Sequence, residues 1–434
     1  MPLLSLLLIG CGKYPEIEVQ ATLSPDISTI VQLSWTNPEA LATQVRYGVD
    51  GDTSLLSPPL ALGENGSINL LGLAPDREVS FEVVEVESEE VLGKGSITTG
   101  TMPGSLRSLE TGPAKDCWDG LILTTYLGAA VGPIVLDPDG KLVWWHEENP
   151  ELLATRARLS ADGQWITYIA TERTTVIDTA ELVRVAIDGS TEERFEIPGL
   201  HHDFVELPDG KLAVLSQDTR QIDGQDLVGD RILEVAEDGS FTEVWNIFDD
   251  WTEAGPETNL DDTSPNWSHA NVLHYNEAED AWYMSFRNFN SIAKVGRSSR
   301  QVEWVLGGVL SDFSIEGDTL DGFEGQHGFE MTADGIVVMD DRTPPSRFSR
   351  MVEYSLDFSL RKATFKSEYH PKPEIATTVL GDVDRLENGN TLVMFSTAGE
   401  LNCLDSNAEV LWRGSGATGY AMGYTQHLNS LYAE

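Results

Sequence analysis

Residues 201–216 read HHDFVELPDGKLAVLS and residues 326–341 read QHGFEMTADGIVVMDD. In each, a run mixing apolar and polar residues meets an Asp-Gly turn and returns as a second apolar run, the pattern of a β-hairpin. His202 lies eight residues before Gly210, and His327 lies eight residues before Gly335. Equal offsets put both histidines at the same height on equivalent strands of different hairpins, and this register favours His202 over His201 as the inward residue. A third hairpin, SHANVLHYNEAEDAWYMSFRN at 268–288, begins its analogous strand at His269 and has a longer turn.

Working outward, Asp-Gly or Asn-Gly turns recur at Gly140, Gly163, Gly189, Gly210, Gly239, Gly335 and Gly389. Gly140, Gly189 and Gly239 are spaced by about 50 residues, the length of one four-stranded propeller blade. Strands ending in tryptophan (Trp145, Trp245, Trp304, Trp412) fall at intervals near one or two blade lengths. The expectation is an all-β chain whose residues 115–434 form a six-bladed β-propeller, with no amphipathic helix of useful length. The innermost strands of a propeller converge on one axis, so His202, His269 and His327 are expected to meet in one funnel.

The middle hairpin adds two residues to that funnel. His269 and Asn271 are two apart and are expected on one face of their strand. A turn near Glu277 to Asp280 brings Arg287 opposite His269 on the returning strand. Three imidazoles, a guanidinium and a carboxamide, with few carboxylates on that face, suit an oxyanion with several oxygens, which arginine holds bidentately. Three histidines are also a zinc ligand set, but a neighbouring guanidinium repels a cation. Each histidine alone reads as structural; the shared position is what argues otherwise. His146, His274, His370 and His427 show no such register and read as surface or structural residues. In FEGQHGFEM (323–331), Gly325 and Gly328 leave the imidazole open to approach, and Phe323 and Phe329 either wall an aromatic ring or pack in the core.

Composition excludes some partners. The chain has 28 Lys and Arg against 71 Asp and Glu, a formal net charge of −43 over 434 residues. Such a surface repels nucleic acid and anionic lipid, so no nucleic-acid partner is expected. The excess acid reads most simply as solubility, and no ligand spacing in the acidic stretch NLDDTSP (259–265) compels calcium. The N-terminus, MPLLSLLLIGCGKYPE, resembles the lipobox of bacterial lipoproteins. That resemblance implies a signal peptide over 1–11, lipidation at Cys11, and an exported, lipid-anchored location in the cell envelope, periplasm or outer membrane. Cys117 and Cys403 are then left as a disulfide pair or as two buried thiols; as a pair they suit the point where the ring closes. Residues 17–100 alternate in short strands, and VQLSWTN with LLGLAPDREVSFEVVEV resembles a fibronectin type III sandwich with Trp35 in its core; Val79 stands where that family usually carries tyrosine. Residues 101–114 read as a linker.

Seven segments, VGPIVLDPDGKLVWW, HHDFVELPDG, WSHANVLHY, SFRNFNSIAKVGRSSRQVEWVLGG, EGQHGFEMTADG, SRMVEYSLD and DVDRLENGNTLVMF, lie in this order over residues 120–412. Together they resemble the bacterial arylsulfate sulfotransferases. The resemblance implies a periplasmic propeller that moves a sulfuryl group from a phenolic sulfate ester to a phenol without a nucleotide donor or other cofactor. It implies a ping-pong route in which His327 becomes a sulfohistidine, with His202, His269, Asn271 and Arg287 binding sulfate and stabilising the transition state. The chain departs from that family in its fibronectin-like N-terminal region and in lacking a cysteine pair near His327. The rival expectations are a lipid-anchored propeller that binds a ligand or partner without catalysis, and a metal-dependent hydrolase on the same scaffold.

Overall fold

The computed structural model describes residues 14–106, 108–111, 117–128, 131–174, 176–222, 224–251, 266–342, 348–416 and 421–433. Cys11 with its apolar run, parts of the linker and the NLDDTSP stretch lie outside the described residues. The chain divides into two compact units, with the boundary between Pro103 and Gly104.

The smaller unit holds two antiparallel sheets. One contains Val19–Leu23, Val31–Thr36 and Asn65–Leu70; the other contains Leu55–Leu56, Thr43–Val49, Glu78–Glu85 and Val91–Thr98. Period-2 alternation sends Val31, Leu33, Trp35, Val45, Tyr47, Val79, Phe81 and Val83 inward, where all are buried. Trp35 pairs in register with Gly66, and its indole lies where a Cβ on Gly66 would sit, so only glycine fits there.

The larger unit is built, among the described residues, from six sheets, antiparallel throughout except for one parallel edge pair. In chain order, the first holds Leu121–Leu127 in its interior. The second to sixth begin at one edge with Leu153–Leu159, Leu200–Glu206, Ala270–Asn276, Phe329–Thr332 and Asp382–Arg385 and continue through consecutive antiparallel strands, with Ser314–Glu316 added parallel at the far edge of the fifth. Leu121–Leu127, Val131–Leu136 and Ala281–Phe286 are buried at every position rather than alternately. The reason is that sheets stack face to face. Ile169, Leu182 and Ile197 of the second sheet cluster with Leu200, Phe204 and Val214 of the third, and another apolar cluster joins Leu215, Ile232 and Trp245 of the third sheet to Leu273, Trp282 and Met284 of the fourth. Outer strands such as Glu192–Pro198 keep polar residues at alternate positions because one face is wet. At about 1.5–3 kcal/mol for each large apolar side chain removed from water, this stacking is the main source of cohesion.

Six of the seven glycine turns (Gly140, Gly163, Gly189, Gly210, Gly239, Gly389) adopt left-handed φ. Gly335 does not; a Cβ there would overlap the carbonyl of Tyr354, so close strand approach requires glycine instead. The two ends of the unit interlock. Glu110–Thr111 pairs with Val410–Ser415 at the outside of the sixth sheet, while Ala421–Met422 and Gln426–Leu428 pair with Leu121–Leu127 in the first. Beside this junction Cys117 and Cys403 form a disulfide with Cα atoms 6.0 Å apart. No helix among the described residues is long and apolar enough to cross a membrane.

Candidate functional site

The first strands of the third and fourth sheets are bulged where the histidines sit. Pairing jumps between Leu200 and Phe204 in one and between Ala270 and Val272 in the other. His202 and His269 both take left-handed backbone, φ 52° and 51°, a conformation that histidine tolerates better than most residues. The bulges turn the two rings toward each other, with centroids 4.9 Å apart. Arg287 begins a short 3-10 turn after Ala281–Phe286, and its backbone N–H donates to the carbonyl of His269 at 3.0 Å. The opposed placement of Arg287 and His269 inferred from the hairpin is therefore present in the structure.

His327 comes from the loop before Phe329–Thr332, and that loop is locked from both sides. Gln326 is fully buried, and its amide nitrogen donates to Ser285 Oγ, the Phe286 carbonyl and the Ser291 carbonyl at 3.0–3.1 Å. Gly325 N–H donates to Asn290 Oδ1 at 2.8 Å, and His327 N–H donates to the Met339 carbonyl at 3.1 Å. The His327 ring is 2 % exposed, and its Nδ1 stands 2.8 Å from Oδ2 of Asp341. That is ion-pair distance, although neither atom meets the angular requirement of a hydrogen bond. Thr377 Oγ1 donates to the other oxygen, Oδ1, at 2.5 Å.

Electrostatics tie these groups into one site. Burial holds His327 well below the ordinary histidine range, and the positive charge of Arg287 adds to the effect. Burial also lowers His202 and His269, each with further depression from the other imidazoles and from Arg287. Burial drives the Asp341 carboxyl well above its usual value, against the pull of its hydrogen bonds and of Arg287. The site is thus a guanidinium among neutral imidazoles, which favours an anion with several acceptor oxygens.

The imidazoles are not equivalent. Asn266 Nδ2 lies 2.9 Å from His269 Nδ1. An amide nitrogen donates, so His269 Nδ1 accepts and its proton sits on Nε2. His202 Nδ1 lies instead 2.8 Å from His201 Nδ1, and His201 Nε2 lies 3.1 Å from Asp230 Oδ1.

Three expectations change, and the alternative left open for Phe323 and Phe329 resolves. Asn271 is the residue bulged out between Ala270 and Val272, so the two-residue alternation with His269 does not hold there. Its side-chain amide donates to the Gln326 carbonyl at 2.8 Å, which makes it a brace for the His327 loop. Gly328 does not open space beside the imidazole: a Cβ there would strike Asp382, and Gly325 is needed for its left-handed φ of 61°. Phe323 and Phe329 are core residues, Phe329 with its ring against His274 rather than beside His327. Carboxylates are present after all, as Asp341 and Asp230 in a layer behind the imidazoles. The hairpin itself carried the signal for Asp341, since QHGFEMTADGIVVMDD folds its closing aspartates back alongside His327.

A second polar cluster lies on the same inner strands. Arg156 and Arg158 pair with Asp203, Arg156 also pairs with Asp382, and His274, Glu330 and Asp384 line the same pocket. Among the described residues, no group of three or more His, Cys, Asp or Glu side chains is arranged to hold a metal ion.

Stacked antiparallel sheets with a buried group of histidines and an arginine define an all-β protein of the layered-sheet class. Residues 113–418 match the family model Arylsulfotransferase (ASST), and the chain belongs to that family. The family implies small aromatic substrates and transfer of a sulfuryl group. No curated protein matches the chain significantly. Similar solved structures include the nidogen/laminin complex (8 % identity, 72 % of this chain and 100 % of that one, TM-score 0.46). Others are a streptogramin B lyase (12 %, 73 % and 90 %, TM-score 0.38) and a protein of unknown function from Bacteroides caccae (11 %, 75 % and 94 %, TM-score 0.38).

Proposed function

We propose that this protein is a nucleotide-independent aryl sulfate sulfotransferase that works by a ping-pong route through a sulfohistidine at His327. The observation that carries the reading is the buried imidazole of His327, backed at Nδ1 by Asp341 and faced by Arg287 and two further imidazoles. With its proton on Nδ1, toward Asp341, the ring presents the Nε2 lone pair to sulfur. Nε2 attacks in line, the S–O bond to the aryl oxygen breaks, and that oxygen leaves as phenolate or, with a proton from His202, as phenol. Arg287 and the Nε2–H of His269 hold the sulfuryl oxygens as charge shifts among them. Asn271 acts through the loop that it braces. A phenol acceptor then enters, attacks the same sulfur, and returns the electron pair to His327.

The wider reading goes with this one. The six sheets are the blades of a six-bladed β-propeller, the smaller unit is a fibronectin type III-like sandwich over residues 17–100, and Cys11 is a lipidated cysteine that anchors an exported protein to the bacterial envelope. The interlocked ends of the larger unit, its disulfide, and the alternating sandwich around Trp35 support the first two assignments, and the third rests on the apolar run that ends at Cys11. Incubation with an aryl sulfate, alkaline quenching and intact-mass measurement test the mechanism. A gain of one sulfuryl group, lost in His327→Ala, is expected. Release of phenol without any adduct would reject the covalent route.

A further inference from the structure

His202 is backed by a line of two more titratable groups that sulfuryl binding does not use. His201 is 1 % exposed, with Nδ1 at 2.8 Å from His202 Nδ1 and Nε2 at 3.1 Å from Asp230 Oδ1, the latter at ion-pair distance without the angle of a hydrogen bond. Asp230 is itself fixed: its Oδ2 accepts from the Ala270 N–H at 2.7 Å and from the Ser268 hydroxyl. Resting on the sulfohistidine reading, we infer that Asp230, His201 and His202 form a proton relay that receives the acceptor phenol's proton and stores it for the next donor.

The wiring follows from the donor and acceptor inventory. A proton on His201 Nε2, facing the Asp230 carboxyl group, leaves Nδ1 as a lone pair. That lone pair requires a proton on Nδ1 of His202, so His202 presents a lone pair at Nε2. During acceptor attack the phenol oxygen bonds to sulfur, the His327 Nε2–S bond breaks, and the phenol proton moves to His202 Nε2. The His202 Nδ1 proton passes to His201 Nδ1, and the positive charge comes to rest on His201 beside Asp230. With the next donor each proton runs back, and the departing phenolate takes one from His202 Nε2. The balance closes with no outside acid or base. The location of the charge matters, because burial, the neighbouring imidazoles and Arg287 all oppose a cation on His202, whereas Asp230 favours it. Moving the charge one ring outward takes it away from Arg287 and toward the carboxylate. His201 and Asp230 are positioning residues here; neither touches substrate.

Asp230→Asn is the direct test. The Ala270 N–H and Ser268 hydroxyl hold the amide oxygen, which turns the NH2 toward His201 Nε2 and reverses both tautomers. His202 then carries its proton on Nε2 and accepts none. With a nitrophenyl sulfate donor, whose phenolate leaves without a proton, the stopped-flow burst keeps its amplitude and slows less than tenfold. Turnover with phenol, which ionises near pH 10 as tyrosine does, falls by ~10²-fold or more. The defect shrinks for acceptors acidic enough to arrive ionised. Equal loss for all acceptors, or no loss, would overturn the relay while leaving the sulfohistidine intact. Absence of a burst in the wild-type protein would overturn both. Should Asp230→Asn fail to melt cooperatively, His201→Gln decides: its amide spans the same two partners but conducts no proton. The relay requires the same acceptor-dependent loss there, and wild-type turnover with phenol refutes it.

Discussion

Replacing Asp341 with asparagine leaves the shape of the site intact and attacks only the proton on His327. Thr377 Oγ1 donates to Oδ1 of Asp341, so in Asp341→Asn the amide oxygen stays with Thr377 and the NH2 faces His327 Nδ1. The imidazole must then accept at Nδ1 and carry its proton on Nε2, where the attacking lone pair should be. Restoring the reactive tautomer sets two buried donors against each other, a cost of about 1–3 kcal/mol for the unsatisfied group. Loss of the carboxylate that steadies the developing cation adds to it, and the comparable change in serine protease triads costs ~10⁴-fold. The expected fall in the rate of sulfohistidine formation is therefore ~10²- to 10⁴-fold, about 3–5 kcal/mol of barrier. Single-turnover release of nitrophenolate measures it, with circular dichroism and melting to show that the variant is folded. The pH profile sharpens the test. The reactive state needs Asp341 ionised and His327 neutral, so the burst rate of the wild type falls as pH drops and the buried pair takes up a proton. Burial raises the Asp341 carboxyl, which puts that fall above the ordinary carboxylate range. Asp341→Asn lacks this carboxylate limb. A variant with wild-type burst rate and an unchanged acid limb would refute the assignment of Asp341.

Other outcomes are equally specific. Arg287→Lys gives up bidentate contact with the sulfuryl oxygens and is expected to lower kcat/KM by ~10- to 10²-fold, measured with a series of aryl sulfates. Cys403→Ser opens the 286-residue loop closed by the disulfide and is expected to cost about 2–5 kcal/mol, read as a lower melting temperature than the oxidised wild type and one insensitive to reductant. Glu330, Asp382 and Asp384 are raised to about 7 by burial. Their protonated forms are favoured by folding, so this cluster lends stability at low pH that is lost as pH rises toward 7. Asp384→Asn is expected to raise the melting temperature more at pH 8 than at pH 5, and the reverse order would contradict the burial argument.

The sequence exposed what depends on counting along one hairpin. His202 and His327 could be placed because equal offsets from a turn mean equal height on a strand, His269 by analogy with them, and Arg287 because the hairpin register sets it opposite His269; the structure groups them. Counting failed where the backbone stops counting: the bulges at 200–204 and 270–272 insert residues that hydrophobic pattern does not reveal, and they moved Asn271 from the funnel to the loop. It also failed between strands that do not share a hairpin. Asp230 reaches His201 from a different strand, and Asn290 and Ser285 reach the His327 loop from the neighbouring sheet, contacts with no fixed spacing in sequence. Asp341 was within reach of the method. The same hairpin that ends at Asp340–Asp341 begins at Gln326–His327, and a register count would have set them side by side.

The interlocked ends of the larger unit have a consequence in time. Leu121–Leu127 is buried at every position and takes its last partner from Gln426–Leu428. At ~5–20 residues per second, that strand is made roughly 15–60 s before its partner exists. Through that interval it offers a bare apolar edge to any other chain nearby. Residues 421–428 therefore govern whether a newly made molecule shuts on itself or joins its neighbour, although they contribute none of the groups assigned to sulfuryl transfer.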